Sequence, residues 1–280
     1  MDAAQKKELK ALACKVRMGV IEGTFNAKSG HPGGSLSISD ILTYLYFSEM
    51  NVDPKDPKNP DRDRLVLSKG HTAPALYAAL ALKGFFPEEM IKTLRKSDSM
   101  LQGHPSMKLT PGVDISTGSL GQGISAACGM ALGAKLAGKE TRVYVPLGDG
   151  EIEEGQVWEA AMFAGNRKLD NLVAIVDNNN LQIDGTLEEV NAPYPIKEKF
   201  EAFNWNVIEI NGHCFEQIEA AFKAARECKG KPTCIVAKTV KGKGISFMED
   251  KCDWHGTAPN AEQYETAMAE LKAALAEQEA

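Results

Sequence analysis

Apolar residues recur along this chain in two rhythms. Ile38, Ile41, Leu42, Leu45 and Tyr46 keep i, i+3, i+4, i+7, i+8 spacing, the stripe of an amphipathic helix, and residues 4–26, rich in Ala, Lys and Glu, read as a longer one. Between such segments stand runs of strand length: RLVLS, VYVPL, NLVAIV, WNVIEING at 205–212 and PTCIVAKTV. Further helices are predicted over 74–83 and 87–96, from the STGSLGQG loop (116–123) to 138, and near 154–168. Two more run through Phe215, Ile218, Phe222 and Ala225, and through Tyr264, Met268, Leu271 and Leu275. Strands that alternate with helices, several of them continuously apolar, predict an α/β fold with a parallel sheet covered by helices on both faces. SGHPGGS and NVDPKDPKNPDRDR read as loops, and no repeat or linker divides the chain, so residues 1–280 are expected to form one domain.

Two of the apolar runs end abruptly in oxygen ligands. VYVPL runs into Gly148-Asp149-Gly150, and about thirty residues later NLVAIV runs into Asp177-Asn178-Asn179. Ligands of an open parallel sheet bind at the carboxyl ends of its strands. If these two strands are neighbours, Asp149 and Asn179 point into one crevice. A carboxylate, an amide oxygen and a nearby carbonyl suit Mg²⁺ or Ca²⁺ rather than zinc, and Mg²⁺ usually completes its shell with water and phosphate oxygens. Gly148 and Gly150 let backbone approach a phosphate closely. A lone GDG or Asn-Asn-Asn is an ordinary turn signal; the pair behind two strands points to a metal-anchored diphosphate.

Four of the five histidines, His31, His71, His104 and His255, sit in Gly/Pro loops: GHP, GHT, GHP and WHG. A single histidine in such a loop is usually just exposed. None pairs at H-x-x-x-H spacing, which argues against zinc, and four such loops together suit proton exchange on a hydroxylated substrate. His213, between a strand and a helix in INGHCF, reads as structural, and Glu151 and Glu153 as solvated first-turn acids.

Net charge is −6, which excludes an electrostatic nucleic-acid binder and leaves anionic ligands to local groups. The six cysteines are scattered, none in C-x-x-C, as in a reduced cytoplasmic protein. The first residues carry no apolar signal core, and no run approaches the length of a membrane span.

GDG followed after about thirty residues by NN resembles the thiamine diphosphate motif. SGHPGGSLS, SKGHTAPALY, LQGHPS, STGSLGQG and DWHG stand in the order and spacing of the N-terminal, diphosphate-binding (PP) domain of transketolase, so the resemblance spans essentially the whole chain. It implies Asp149, Asn179 and the Leu181 carbonyl as metal ligands, with Mg²⁺ expected and Ca²⁺ or Mn²⁺ able to serve. It implies cofactor contacts from Gly118, Leu120, Gly150 and Ile183. His31 and His104 would meet the reacting end of the sugar, and His71 and His255 would bridge the diphosphate and the reaction centre. Glu154 would lie at a subunit interface linking two active sites. The implied activity is reversible transfer of a two-carbon ketol unit between sugar phosphates, the chemistry of the pentose phosphate pathway.

The sequence carries no pyrimidine-binding domain with the glutamate that activates the cofactor. A separate C-terminal transketolase subunit is therefore expected, in an α2β2 assembly. Three alternatives remain: a cloned fragment, a split enzyme specialised for a branched or sulfonated sugar, and a non-catalytic cofactor-binding scaffold. The α subunit of a 2-oxo acid dehydrogenase shares GDG…NN but is not expected to carry the GHP, GHT and WHG loops, and a deoxyxylulose phosphate synthase keeps both domains in one longer chain.

Overall fold

A computed structural model describes residues 1–279. Among them a five-stranded sheet is built from β1 (Arg64–Leu65), β2 (Val143–Gly148), β3 (Leu172–Asn178), β4 (Asn206–Asn211) and β5 (Thr233–Lys238), in the order β1-β2-β3-β5-β4 with all pairings parallel. Strands β2, β3 and β5 are rich in Val, Ile, Leu and Ala because both of their faces are covered. Side chains alternate between two cores. Tyr144, Val173, Ile175 and Ile235 enter the larger one, packed under α1 (Ala3–Ala27), α2 (Pro32–Ser37), α3 (Ser39–Tyr44), α4 (Ala73–Lys83), α9 (Phe215–Glu227) and α10 (Ala261–Glu279). Val143, Val145, Ala174 and Val176 enter the other, under α5 (Gly123–Leu136), α6 (Gly155–Asn166) and α8 (Ile196–Ala202). The short α7 (Leu187–Val190) opens on a capping box, Thr186 with Glu189. No helix among the described residues is long and apolar enough to cross a membrane.

The parallel α/β sheet with helices on both faces is as the sequence predicts. Local departures have local causes. The segment expected as a helix over 87–96 is only a 3₁₀ stretch, Glu88–Thr93, after Pro87. The stripe from Ile38 to Tyr46 is broken into α3 and a π-helical turn, Leu45–Glu49, that brings the Glu49 carboxylate to the Tyr144 hydroxyl, 2.9 Å away. PGGS, which reads as punctuation, lies inside α2, whose residues are all buried: packing outweighs the low helix propensity of glycine. Helices α7 and α8 fall between the segments the sequence pattern assigned, α7 after the Thr186 cap and α8 after Pro195.

One buried polar cluster ties the ends of this fold together. Arg17 of α1 donates to both oxygens of Asp40 of α3, at 3.1 and 2.5 Å, and to the Lys243 carbonyl at 3.1 Å. His213 Nδ1 is 2.7 Å from Asp40, and the Val240 N–H donates to His213 Nε2 at 2.9 Å, so the proton sits on Nδ1. Burial alone would raise the Asp40 carboxyl; the charge of Arg17 and the bonds from His213 and Arg17 outweigh it and hold the pKa at about 2. His213 thus anchors the segment after β5 to the helical layer, the structural part its sequence context predicts.

Candidate active site

β2 and β3 are neighbours, with Gly148 opposite Asp177 in register. The turns that follow therefore leave the sheet side by side at its carboxyl edge. A cavity of about 280 Å³ opens there. Asp149, Gly150, Asn179, Leu181 and Ile183 line it from these turns, Gly118 and Leu120 from the 116–123 loop, and His31, His71 and His255 from three further segments.

Asp149 is buried. Its Oδ1 accepts from Gly150 N (3.0 Å), and its Oδ2 from Asn180 N (2.6 Å) and Asn178 Nδ2 (3.2 Å). Burial, and then the charge of Asp177, raise its pKa to about 6 against those hydrogen bonds. Asn180 adopts φ 64°, the left-handed turn that sends the chain back past Asp149. Among the described residues no group of three or more His, Cys, Asp or Glu is placed to hold a metal. The donor set in this cavity is of another kind, one carboxylate with amide and carbonyl oxygens, the composition a hard cation takes.

His31, His71 and His255 form a triangle, with ring centroids 5.1, 5.2 and 5.4 Å apart. Burial, with nearby cations and the neighbouring imidazoles, lowers their pKa values to about 4, 2 and 3. All three rings are neutral at pH 7 and can accept or relay a proton without adding charge to the site. The His255 tautomer is set by Lys241, which donates to Nδ1 at 3.0 Å and leaves the proton on Nε2.

Two predicted residues stand apart. His104 is exposed and outside the cavity lining, its ring against Gly118, where an added Cβ would come within 3.0 Å of it. Gly118 has φ 155° and Gly121 φ 79°, so this loop needs both glycines. Glu154 is exposed, caps the start of α6 without a side-chain hydrogen bond and packs under Gly121; it does not line the cavity.

Sequence reasoning missed the charged floor. Lys69, 2% exposed, pairs with Asp177, which also accepts from Ser37 Oγ at 2.5 Å and from Thr239. Lys241, 1% exposed, gives its three N–H to the carbonyls of Leu181 and Gln182 and to His255, each at 3.0 Å. Burial lowers its pKa to about 8, with Asp149 opposing, so it stays mostly charged at neutral pH. Its N–H groups being committed, it offers a bound anion charge. Glu151 is a correction: it is 2% exposed and lines the cavity. Glu153 is half-buried and holds Gln182 Nε2 at 2.5 Å and Asn191 Nδ2 at 3.1 Å. Neither is a solvated first-turn acid. The signal for all four was position, a charged residue inside a glycine turn next to a strand end.

Residues 9–276 match the family model described as transketolase, thiamine diphosphate binding domain. The chain belongs to this transketolase family. It is 48% identical over 268 residues to the 6-deoxy-6-sulfo-D-fructose transketolase subunit SqwG of Clostridium sp. (strain MSTE9), covering 96% of this chain and 98% of that one. It is 45% identical to an apulose-4-phosphate transketolase subunit of Phocaeicola vulgatus, covering 95% of each. Rat transketolase is 47% identical over 256 residues, but the match spans only 40% of it. The transketolase of Campylobacter jejuni superposes with a TM-score of 0.90 at 34% identity, over 99% of this chain and 46% of that one. The chain is thus coextensive with the transketolase subunits and corresponds to less than half of the single-chain transketolases.

Proposed function

We propose that this chain is the diphosphate-binding subunit of a split transketolase, which transfers a two-carbon ketol unit reversibly from a ketose phosphate to an aldose phosphate. The observation that carries the reading is the convergence of Asp149, Asn179 and Leu181 with His31, His71 and His255 in one cavity at the ends of β2 and β3. The lining fits thiamine diphosphate with Mg²⁺. The hard-oxygen donors suit that ion, with Ca²⁺ or Mn²⁺ able to replace it. Asp149 and Glu151 against Lys69 and Lys241, with Asp177 behind Lys69, leave the pocket wall one negative charge in excess, so a polyanionic cofactor needs a cation beside it. Leu181 keeps a carbonyl lone pair beyond the one Lys241 occupies.

When bound, thiamine diphosphate supplies the carbanion and the electron sink of the reaction. Asp149, Asn179 and Leu181 would hold the metal, Gly118, Leu120 and Gly150 would bring backbone to the diphosphate, and Ile183 would contact the thiazolium. His71 and His255 would stand beside the diphosphate and, as neutral imidazoles, would accept and return protons at the reaction centre. His31, with His104 at the rim, binds the hydroxyl and carbonyl oxygens of the sugar. Ile183 is 64% exposed and Leu120 36%, apolar surface at the mouth that a pyrimidine-binding partner chain would cover. That partner supplies the activating glutamate, and Glu154 meets its counterpart at the interface of an α2β2 assembly. The six unpaired cysteines support a cytoplasmic location.

The names of the two subunit relatives favour a second reading of the substrate, a sulfonated or branched sugar. The decisive experiment purifies this chain with a separately expressed pyrimidine-binding chain of the same organism. Titration calorimetry with thiamine diphosphate and Mg²⁺ is followed by ketol-transfer assays on fructose 6-phosphate, 6-deoxy-6-sulfofructose and apulose 4-phosphate. Turnover by the mixture alone supports the proposal, and the preferred donor chooses between the readings. Robust turnover by this chain without a partner contradicts a split enzyme, and absence of cofactor binding by the mixture refutes the assignment.

A further inference from the structure

The Glu151 carboxylate lies where three segments of the cavity wall meet. Oε1 accepts from Ser68 Oγ at 2.5 Å and from Gly121 N at 3.0 Å; Oε2 accepts from Gly148 N at 2.9 Å. Ser68 belongs to the stretch after β1, Gly121 to the loop that carries Gly118 and Leu120, and Gly148 to the turn that carries Asp149 and Gly150. The first two segments are already pressed together: Thr117 Oγ1 donates to the Leu67 carbonyl at 2.7 Å, and a Cβ on Gly70 would come within 2.8 Å of Gly118 N. The third is tied to the first by the Ser68 N–H, which donates to the Pro146 carbonyl of β2 at 3.0 Å, but not to the 116–123 loop. Among the described residues, every hydrogen bond between the 116–123 loop and residues 148–151 runs through Glu151.

We infer that Glu151 is a positioning residue of the cofactor site, its carboxylate setting the separation between the 116–123 loop and the Gly148–Gly150 turn, and so the width of the diphosphate cradle. A carboxylate is required because three donors converge on two oxygens. An amide would put its own N–H₂ against at least one of the N–H groups of Gly121 and Gly148. The same saturation explains how an acid can line an anion site: both oxygens are engaged by donors within the wall. His31 and His255 stand on other segments, and the stretch that carries Ser68 and His71 stays pinned to the 116–123 loop through Thr117 and Leu67, so the effect falls on cofactor affinity rather than on the proton-handling groups.

This inference rests on the function proposed above, and the wild-type chain with its partner is the control: if that mixture binds no thiamine diphosphate, the function fails; if it binds and the variants below bind equally well, only this inference fails. In Glu151→Gln, calorimetry with thiamine diphosphate and Mg²⁺ should show a Kd raised about 10- to 100-fold, the loss of one to two hydrogen bonds to a charged group. At saturating cofactor, kcat and the KM for the sugar should stay within about twofold, the split expected when only cofactor affinity depends on the residue. In the chain without cofactor, hydrogen exchange should quicken at Gly121 and Gly148 but not in the rest of β2 or in β3. A Kd within twofold of wild type, or exchange unchanged at both glycines, overturns the inference. If Glu151→Gln does not fold, Ser68→Ala, which removes one donor and spares the carboxylate, takes its place: a Kd raised about 3- to 10-fold is expected, and an unchanged Kd overturns the inference.

Discussion

Replacing Arg17 by Met removes the guanidinium from Asp40 with little change in side-chain length, and the structure sets both the size of the loss and its dependence on pH. The His213 ring is already committed, Nδ1 to Asp40 and Nε2 to the Val240 N–H, so its hydrogen bonding does not replace the guanidinium. Asp40, 6% exposed, must then stay ionised without its cation or accept a proton. Protonating a carboxyl of ordinary pKa 3.8 at pH 7 costs about 4.4 kcal/mol, at 1.36 kcal/mol per pH unit, and this caps the electrostatic penalty. The lost bond to the Lys243 carbonyl adds about 1 kcal/mol, so the total at pH 7 is about 4–5 kcal/mol, in the range found when one partner leaves a buried ion pair. The sign with pH follows from the depressed carboxyl. In the wild-type chain the pair's contribution is fully present above pH 4 and is lost only as pH falls toward about 2. In Arg17→Met the native state takes up a proton near neutrality, so the deficit shrinks by about 1.4 kcal/mol for each unit of acidification and is about 2 kcal/mol at pH 5. Urea denaturation of both chains at pH 7 and pH 5 reads these differences directly. Arg17→Met/Asp40→Asn should recover part of the loss at pH 7. A deficit that does not change between the two pH values, or a double variant no more stable than the single one, would refute this account of the cluster.

Further expectations follow from the site and the core. Asp149→Ala should abolish Mg²⁺-dependent binding of thiamine diphosphate to the assembled enzyme while leaving the fold intact, as judged by calorimetry and circular dichroism; unchanged affinity would count against the metal assignment. His31→Ala should leave cofactor affinity within about twofold and slow ketol transfer about 10- to 100-fold, the loss of one to two hydrogen bonds to the reacting sugar; loss of the cofactor with sugar affinity intact would show its role to be misplaced. Gly165→Ala puts a Cβ 1.8 Å from the Phe203 carbonyl oxygen and must push α6 off its neighbour. In urea denaturation it should destabilise the chain by about 3 kcal/mol or more, at the upper end of overpacking costs, whereas Gly129→Ala, with nothing within 4 Å, should be neutral or slightly stabilising.

What could be read from the sequence was whatever is local or periodic. The continuous apolar runs of β2, β3 and β5 announced a doubly covered parallel sheet, and the turns after β2 and β3 marked the cavity before their adjacency was known. What escaped was whatever depends on tertiary burial. A lysine in SKGH or VKGK looks like a solvated charge, yet Lys69 and Lys241 lie among the most buried side chains, because carboxylates and carbonyls from distant segments compensate them. Glu151 escaped for the same reason: its partners Ser68 and Gly121 lie 83 and 30 residues away. The 3₁₀ stretch after Pro87 and the helix through PGGS went the other way, with packing deciding against local propensity.

The pairing of Gly148 with Asp177 also limits how such a chain can change length. Deleting a single residue from either strand would slide one turn past the other by about 3.4 Å and flip every following side chain to the opposite face. Asp149 and Asn179 would then no longer meet. Insertions and deletions are tolerable only where the ladder has ended and no cavity residue stands, as beyond Ile183 in the stretch before α8 or in the proline-rich loop before β1, where length can change while the paired strand tips keep their alignment.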